Sequence, residues 1–111
     1  MAKMTEEQVQ EALKSHPEWS QTGEAIQRTC QFGNFVEAMA FVNKVAEAAE
    51  AAQHHPDILV RWNKVTLTLS THDASGITEK DFALAKTVDV WCPPLPPKAP
   101  KAVVGRRAKK A

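Results

Sequence analysis

Three of the chain's four histidines lie in one window that also holds carboxylates. His54 and His55 are adjacent, His72 follows further along the chain, and Glu50 and Asp81 flank the group. Imidazole is the only side chain whose unperturbed pKa lets it give and take protons near neutral pH. The window therefore predicts either proton-transfer chemistry or a metal site.

The spacing of these histidines favours proton transfer over metal binding. Three histidines and a carboxylate can ligate zinc or iron. Adjacent histidines usually point in different directions, however, and no two histidines here are separated by one or by three residues. We therefore expect no bound metal. We also expect no nucleotide-phosphate site, because the chain has four glycines and no Gly-rich loop.

A short helix and a hairpin are predicted to open the chain. Thr5 is placed to cap the helix, and Pro17 ends it because the residue before a proline avoids helical backbone angles. Segments Trp19–Thr22 and Ala25–Phe32 then have the pattern of two strands, although Arg28 interrupts the apolar face of the second.

A long amphipathic helix is predicted to deliver the paired histidines. Asn34 is a good first cap, with Glu37 at the capping-box position. Apolar residues then recur at three- and four-residue spacing: Phe35, Ala38, Met39, Phe41, Val42, Val45, Ala46 and Ala49. The helix should end near Gln53–His54, because Pro56 disfavours a helical conformation at the residue before it.

Two further strands and a helix complete the predicted fold. Ile58–Trp62 and Val65–His72 form a hairpin about an Asn63-Lys64 turn, the second strand alternating strictly between apolar and polar residues. The last helix opens at Thr78. The order helix-strand-strand-helix-strand-strand-helix predicts an α+β domain, a four-stranded antiparallel sheet with helices packed on one face.

Several neighbours of the histidines have two interpretations. Glu50 lies one helical turn before His54, where it either orients that imidazole or forms only an exposed helix pair. Asp81 either supports the site or only caps its helix through the Thr78-x-x-Asp81 pattern. Trp62 is pocket wall or core, and core is favoured. Thr71 should follow the apolar face of its strand.

The composition indicates one domain, which we place at residues 1–92. Two cysteines are too few for a disulfide framework, so Cys30 and Cys92 are expected to be reduced thiols. With no signal-peptide-like start and no apolar run of membrane-spanning length, the expected location is cytoplasmic, without a membrane partner.

Residues 93–111 are predicted to form a Pro-rich, basic and disordered tail. Residues 1–97 carry eight Lys/Arg against all thirteen acids, whereas residues 98–111 carry six Lys/Arg and no acid. Such a tail can attract nucleic acid or an acidic protein. A solvated tail that aids solubility is the favoured interpretation, so we expect no nucleic-acid partner.

The histidine window resembles the signature of the pterin-4a-carbinolamine dehydratase family. The matching run is Glu50-x3-His54-His55-Pro56-x5-Trp62-x9-His72-x8-Asp81. The surrounding segments Trp62–Val65, Leu69–Asp73 and Gly76–Thr78 are also similar to the family. The resemblance covers roughly residues 5–91 and excludes the tail.

The resemblance implies an enzyme that dehydrates 4a-hydroxytetrahydropterins to quinonoid dihydropterins without metal or organic cofactor. Such an enzyme recycles the pterin cofactor of aromatic amino acid hydroxylases, to which it is functionally linked. His54 and His72 would act as acid and base, and His55 would mainly hold the pterin. Supporting or substrate-binding roles would fall to Glu50, Pro56, Trp62, Thr71 and Asp81.

The resemblance also implies a homodimer or homotetramer built by sheet-edge pairing and helix packing. Some relatives act instead as protein-interaction or assembly factors, which leaves a coactivator or assembly module as the alternative function. At position 58 this chain has Ile where animal relatives tend to have an aromatic residue. The identity of the preferred pterin therefore stays open.

Overall fold

The computed structural model describes residues 3–93, and they follow the predicted order of helices and strands. The elements are α1 (Glu6–Leu13), β1 (Ser20–Thr22), β2 (Ala25–Gln31), α2 (Phe35–Ala52), β3 (Asp57–Arg61), β4 (Lys64–Leu69) and α3 (Glu79–Asp89). A 3-10 turn at His72–Ala74 leads from β4 towards α3. The predicted α+β class is confirmed.

The sheet is antiparallel throughout, with strand order β1-β2-β4-β3. The β2–β4 register aligns the apolar positions of both strands on one face, and this face is buried: Ile26, Arg28, Cys30, Val65, Leu67 and Leu69. The other face is polar, and there Thr29 and Thr66 share a hydrogen bond of 2.8 Å. The core therefore lies on one side of the sheet, as predicted.

Helix α2 covers this core and ends where the site begins. Its buried residues recur at three- and four-residue spacing: Ala38, Phe41, Val45 and Ala49. Asn34 accepts a hydrogen bond from the backbone N–H of Glu37 (2.9 Å). The last helical residue is Ala52, and Gln53 caps it in the left-handed region (φ 55°, ψ 42°). The predicted end near Gln53–His54 is confirmed.

Arg28, which interrupts the apolar pattern of β2, points into the core and is only 6% exposed. Its Nη1 donates to Asp89 Oδ1 at 2.6 Å, and Trp19 Nε1 donates to the same oxygen at 2.9 Å. A buried charge is tolerated when it is paired and hydrogen-bonded. The ion pair thereby joins the centre of β2 to the end of α3.

The prediction of reduced thiols is wrong, because Cys30 and Cys92 form a disulfide bond. Cys30 lies on the core face of β2, and α3 packs on that face, so Cys92 just after α3 reaches it. Their Cα atoms are 5.6 Å apart, within the range a disulfide spans.

The β3–β4 turn lies one residue earlier than predicted, at Trp62-Asn63 instead of Asn63-Lys64. Trp62 has a φ of 54°, and its side chain is 67% exposed. The interpretation of Trp62 as a core residue is therefore wrong. Asn63 fixes the turn to the end of β2, since its Nδ2 donates to the Phe32 carbonyl (2.8 Å) and its own carbonyl accepts from Phe32 N–H (2.9 Å).

Residues 94–111, nearly all of the predicted tail, lie outside the described residues. The domain boundary near residue 92 and the character of the tail therefore stay predictions. Within residues 3–93 we find no helix with both the length and the apolar character needed to cross a bilayer.

Candidate active site

His54 is the buried member of the histidine pair. The left-handed turn at Gln53 carries the chain off the axis of α2, and the His54 backbone N–H bonds back to the carbonyl of Ala49 (3.0 Å). This turn directs the His54 imidazole inward, where it is 7% exposed. Its Nε2 lies 2.5 Å from Oδ1 of Asp81, which has no exposed surface.

Asp81 occupies the third helical position of α3 and performs both roles considered for it. Its Oδ2 accepts from the Thr78 backbone N–H at 2.9 Å, which completes the capping box. The same oxygen accepts from Thr71 Oγ1 at 3.0 Å. Its other oxygen contacts His54. Helix capping and histidine positioning therefore share one carboxylate.

The hydroxyl groups around Asp81 form a chain of donors that ends on the carboxylate. Because Thr71 Oγ1 donates to Asp81, it accepts from Thr78 Oγ1 at 2.6 Å. Thr78 Oγ1 in turn accepts from the Lys80 backbone N–H at 3.2 Å. The direction of these hydrogen bonds fits an ionised Asp81, since a carboxylate only accepts hydrogen bonds.

The carboxylate also decides which nitrogen of His54 carries the proton. Facing an ionised Asp81, Nε2 must be the N–H donor, so Nδ1 of the neutral ring has a free lone pair. Within the described residues Nδ1 has no hydrogen-bond partner, and it keeps contact with solvent. His54 is therefore oriented as a proton acceptor at Nδ1, and its protonated form would be stabilised by Asp81.

Of the two interpretations of Glu50, the one in which it orients His54 is wrong. Glu50 Oε2 instead contacts His55 Nε2 at 2.8 Å, and both side chains are exposed. The left-handed Gln53 ends the helical spacing that would have stacked Glu50 under His54. An exposed ion pair contributes at most about 1 kcal/mol to stability. Glu50 therefore has little effect on the site.

The three histidines meet at a cleft of about 240 Å³, here called the histidine cleft. Its lining residues are Gln53, His54, His55, Ser70, Thr71, His72, Asp73 and Lys80. Thr71 is buried as predicted, whereas His72 leaves the strand and is exposed in the 3-10 turn. The fold thus brings together His54, His55, His72 and Thr71, with Asp81 behind them.

A second depression of about 230 Å³, here called the sheet cleft, adjoins the first. It is lined by Ala25, His55, Asp57, Thr68, Ser70 and His72. His55, Ser70 and His72 line both clefts, so the two exposed histidines stand between them. Both clefts therefore give access to these two imidazoles.

Four predicted site residues line neither cleft: Glu50 and Asp81, described above, and also Pro56 and Trp62. Pro56 is half-exposed and lines neither of them. Trp62 lies at the opposite end of β3 and borders a separate surface depression with Arg61 and Lys64. Ser70, Asp73 and Lys80 were not predicted, and only their positions beside His72 and Asp81 in the sequence could have indicated them. In residues 3–93, His, Cys, Asp and Glu side chains form no group of three or more that could hold a metal ion.

Comparison with known proteins points to one family. The family model for pterin 4 alpha carbinolamine dehydratase matches residues 2–91. A protein of Picosynechococcus sp. is 54% identical over 87 residues, which cover 78% of this chain and 95% of that protein. A protein of Acidobacterium capsulatum is 53% identical over 89 residues, covering 80% and 97%. Both are named "Putative pterin-4-alpha-carbinolamine dehydratase".

Two solved structures share the fold. One, described as a transcriptional coactivator/pterin dehydratase from Brucella melitensis, has a TM-score of 0.79 and 33% identity, covering 82% of this chain and 99% of its own. The other is described as a pterin dehydratase-like RuBisCO assembly factor in the alpha-carboxysome. It has a TM-score of 0.55 and 23% identity, covering 66% and 84%, and shows the fold alone.

Proposed function

Because the chain belongs to the pterin-4a-carbinolamine dehydratase family, we propose that it dehydrates 4a-hydroxytetrahydropterins to quinonoid dihydropterins. The observation that carries the proposal is the buried Asp81–His54 pair, because His54 lines a cleft that His55 and His72 also line. Dehydration needs one proton delivered and one removed, and this site offers separate imidazoles for the two transfers.

The reaction balances without any other reagent. A protonated imidazole gives its proton to the 4a-hydroxyl, the C4a–O bond breaks, and water leaves. A neutral imidazole takes a proton from a ring nitrogen of the pterin, whose electrons form the new C=N bond. One histidine has lost a proton and the other has gained one, so exchange with solvent restores the starting state.

The surroundings of the histidines suit them to different roles. We assign proton removal to Nδ1 of His54, because Asp81 holds its Nε2–H and would stabilise the imidazolium that forms. We assign proton delivery to His72, whose exposed ring exchanges readily with solvent. His55 borders both clefts and is assigned to holding the pterin.

The proposal is tested by adding the purified protein to 4a-hydroxytetrahydropterin generated by a hydroxylase, with a metal chelator present. We expect quinonoid dihydropterin to form well above the spontaneous rate. His16→Asn serves as a control that removes a histidine without touching the site. His16 is the one histidine of the chain that lines neither cleft, so this variant should keep the activity. A rate equal to the spontaneous one, from folded protein, would reject dehydratase activity.

The alternative is a protein-interaction or assembly module on the same fold. The names of the two solved structures, coactivator and assembly factor, motivate it. Such a module would tolerate loss of His54 and His72, whereas the dehydratase would not. For the enzyme, a pterin-dependent aromatic amino acid hydroxylase is the functional partner we propose, since such an enzyme supplies the 4a-hydroxy substrate.

A further inference from the structure

A groove of about 210 Å³, here called the helix groove, lies between helices α2 and α3. Ala48 and Ala52 line it from α2, and Ala83, Leu84 and Thr87 line it from α3. Residues three and four apart share one face of a helix, so each helix presents a single face to the groove. The alanine side chains end at Cβ and leave the space between these faces open. Along α3 the lining residues span about 10 Å.

The helix groove is apolar and offers few groups that could hydrogen-bond a ligand. Thr87 Oγ1 already donates to the Ala83 carbonyl (3.2 Å). No carboxylate of residues 3–93 lines the groove. A hydroxyl group that leaves water for such a surface loses hydrogen bonds that the surface does not replace. The groove therefore favours an apolar ligand group over a hydroxylated one.

The helix groove meets the histidine cleft at two shared residues. His54 and Lys80 line both the groove and the cleft. His54 is 7% exposed, and its Nδ1 has no hydrogen-bond partner in the part of the chain that the structure describes. A ligand whose N–H bonds to this nitrogen would therefore contact the residue at which the cleft and the groove meet.

The proposed reaction fixes which part of the pterin lies beside His54. The new C=N bond forms at C4a, and N5 is the one ring nitrogen bonded to C4a, so N5 loses the proton. With N5–H donating to His54 Nδ1, these two nitrogens lie about 3 Å apart. Because C6 is bonded directly to N5, the substituent at C6 begins next to His54.

Lys80 provides a cation at the same junction. Its side chain is exposed and makes no ion pair within residues 3–93. An ammonium group is attracted to the face of an aromatic ring. An aromatic substituent that passes Lys80 would gain this contact as well as the apolar walls of the groove.

From these observations we propose that the helix groove receives the C6 substituent of the pterin, and that this substituent carries an aromatic ring. The substrate class is then a pterin with an aryl group at C6, as in pteroate, instead of the short hydroxylated chain of biopterin. The inference rests on the proposed function for the position of the pterin. It makes the alanines of the groove specificity-determining residues, because larger side chains would close the space.

Ligand binding tests the substrate class without any turnover. Tetrahydropteroate, tetrahydrobiopterin and 6-methyltetrahydropterin share the pterin ring and differ at C6. Anaerobic isothermal titration calorimetry measures their dissociation constants. We expect tetrahydropteroate to bind about tenfold more tightly than each of the other two, because part of its phenyl ring leaves water. Equal affinities for the three ligands would overturn the inference.

Filling the groove tests where the substituent binds. Ala83 is exposed and helical, so Ala83→Leu has little effect on helix formation. We expect this variant to bind tetrahydropteroate about tenfold more weakly than the parent protein does, because leucine takes the place of the phenyl ring. Its affinity for 6-methyltetrahydropterin should stay unchanged.

Ala51→Leu is the matched control, since Ala51 is an exposed alanine of α2 that does not line the groove. It should leave all three affinities unchanged. The inference is wrong if Ala83→Leu binds tetrahydropteroate like the parent protein. It is equally wrong if the variant loses the same affinity for tetrahydropteroate and 6-methyltetrahydropterin, because the groove would then not sense the substituent.

The two proposals fail in distinguishable ways. If the parent protein has no dehydratase turnover but prefers tetrahydropteroate, and Ala83→Leu removes this preference, the proposed function fails and the inference about the groove stands. If turnover is present and the three ligands bind equally well, the inference fails and the proposed function stands.

Discussion

At the scale of single residues, one buried carboxylate makes two kinds of contact, one to a helix start and one to a histidine. Asp81 caps α3 and holds the Nε2–H of His54, so the same hydrogen-bond network fixes the helix start and the histidine tautomer. His55, in contrast, is only weakly restrained. Its partner Glu50 is exposed, and solvent screening weakens the interaction between the two side chains.

The change Asp81→Asn tests this dual role. An amide can donate to Nε2 of His54 and so favours the other tautomer, with the proton on Nδ1. We expect kcat to fall by about 10² to 10⁴, the usual range for a general acid–base contribution. Steady-state dehydration kinetics measure it, with circular dichroism to verify folding. A folded variant with unchanged kcat would contradict the assigned role of Asp81.

Glu50→Gln is the control matched to Asp81→Asn. It makes the same carboxylate-to-amide change in the exposed Glu50–His55 pair. Because Glu50 contacts only exposed His55, we expect kcat to change less than twofold, and stability to change by no more than about 1 kcal/mol. Parallel kinetics and urea unfolding measure both quantities. A loss of kcat as large as that of Asp81→Asn would contradict the minor role assigned to Glu50.

The sequence predicted the residues of the candidate site but not how they pair. His54, His72 and Asp81 were predicted from residue type and spacing, and the fold brings them together. The partner of His54 could not be predicted, because it depends on the left-handed turn at Gln53. Glutamine has no special preference for that conformation, unlike glycine, so helical spacing pointed wrongly to Glu50.

At the scale of helices and strands, local patterns predicted most of the fold. Caps at Thr5 and Thr78 form as expected, and the alternation in β4 matches its burial. Asn34 caps α2, but Glu37 does not complete the expected capping box, because its Oε1 accepts from the Gly33 N–H. The Trp62-Asn63 loop was misplaced by one residue, because tryptophan is unusual at a positive φ. The Cys30–Cys92 bond was missed because only the packing of α3 on β2 brings these distant positions together.

Removal of this disulfide should destabilise the fold without affecting the site directly. The bond closes a sequence separation of 62 residues, so Cys30→Ala/Cys92→Ala is expected to lose about 2–4 kcal/mol of unfolding free energy. Urea unfolding of parent and variant measures the loss. Thiol labelling of the parent protein, unfolded without reductant, tests whether the disulfide bond is present. We expect no labelling, and labelling of both cysteines would show that the bond is absent.

At the scale of the whole molecule, the candidate site occupies one end of the sheet. The histidines and both clefts lie where α2 ends and β4 exits, and the strained Trp62 loop lies at the other end of β3. The proposed chemistry is therefore confined to the end of the sheet that carries the histidines.

The most direct test of the account is the dehydration rate of the double variant His54→Ala/His72→Ala beside the parent protein. Stopped-flow absorbance would follow the formation of quinonoid dihydropterin with chelator present. We expect rapid turnover by the parent protein and a return to the spontaneous rate in the folded double variant. Turnover by the double variant at the parent rate would contradict acid–base catalysis by these histidines.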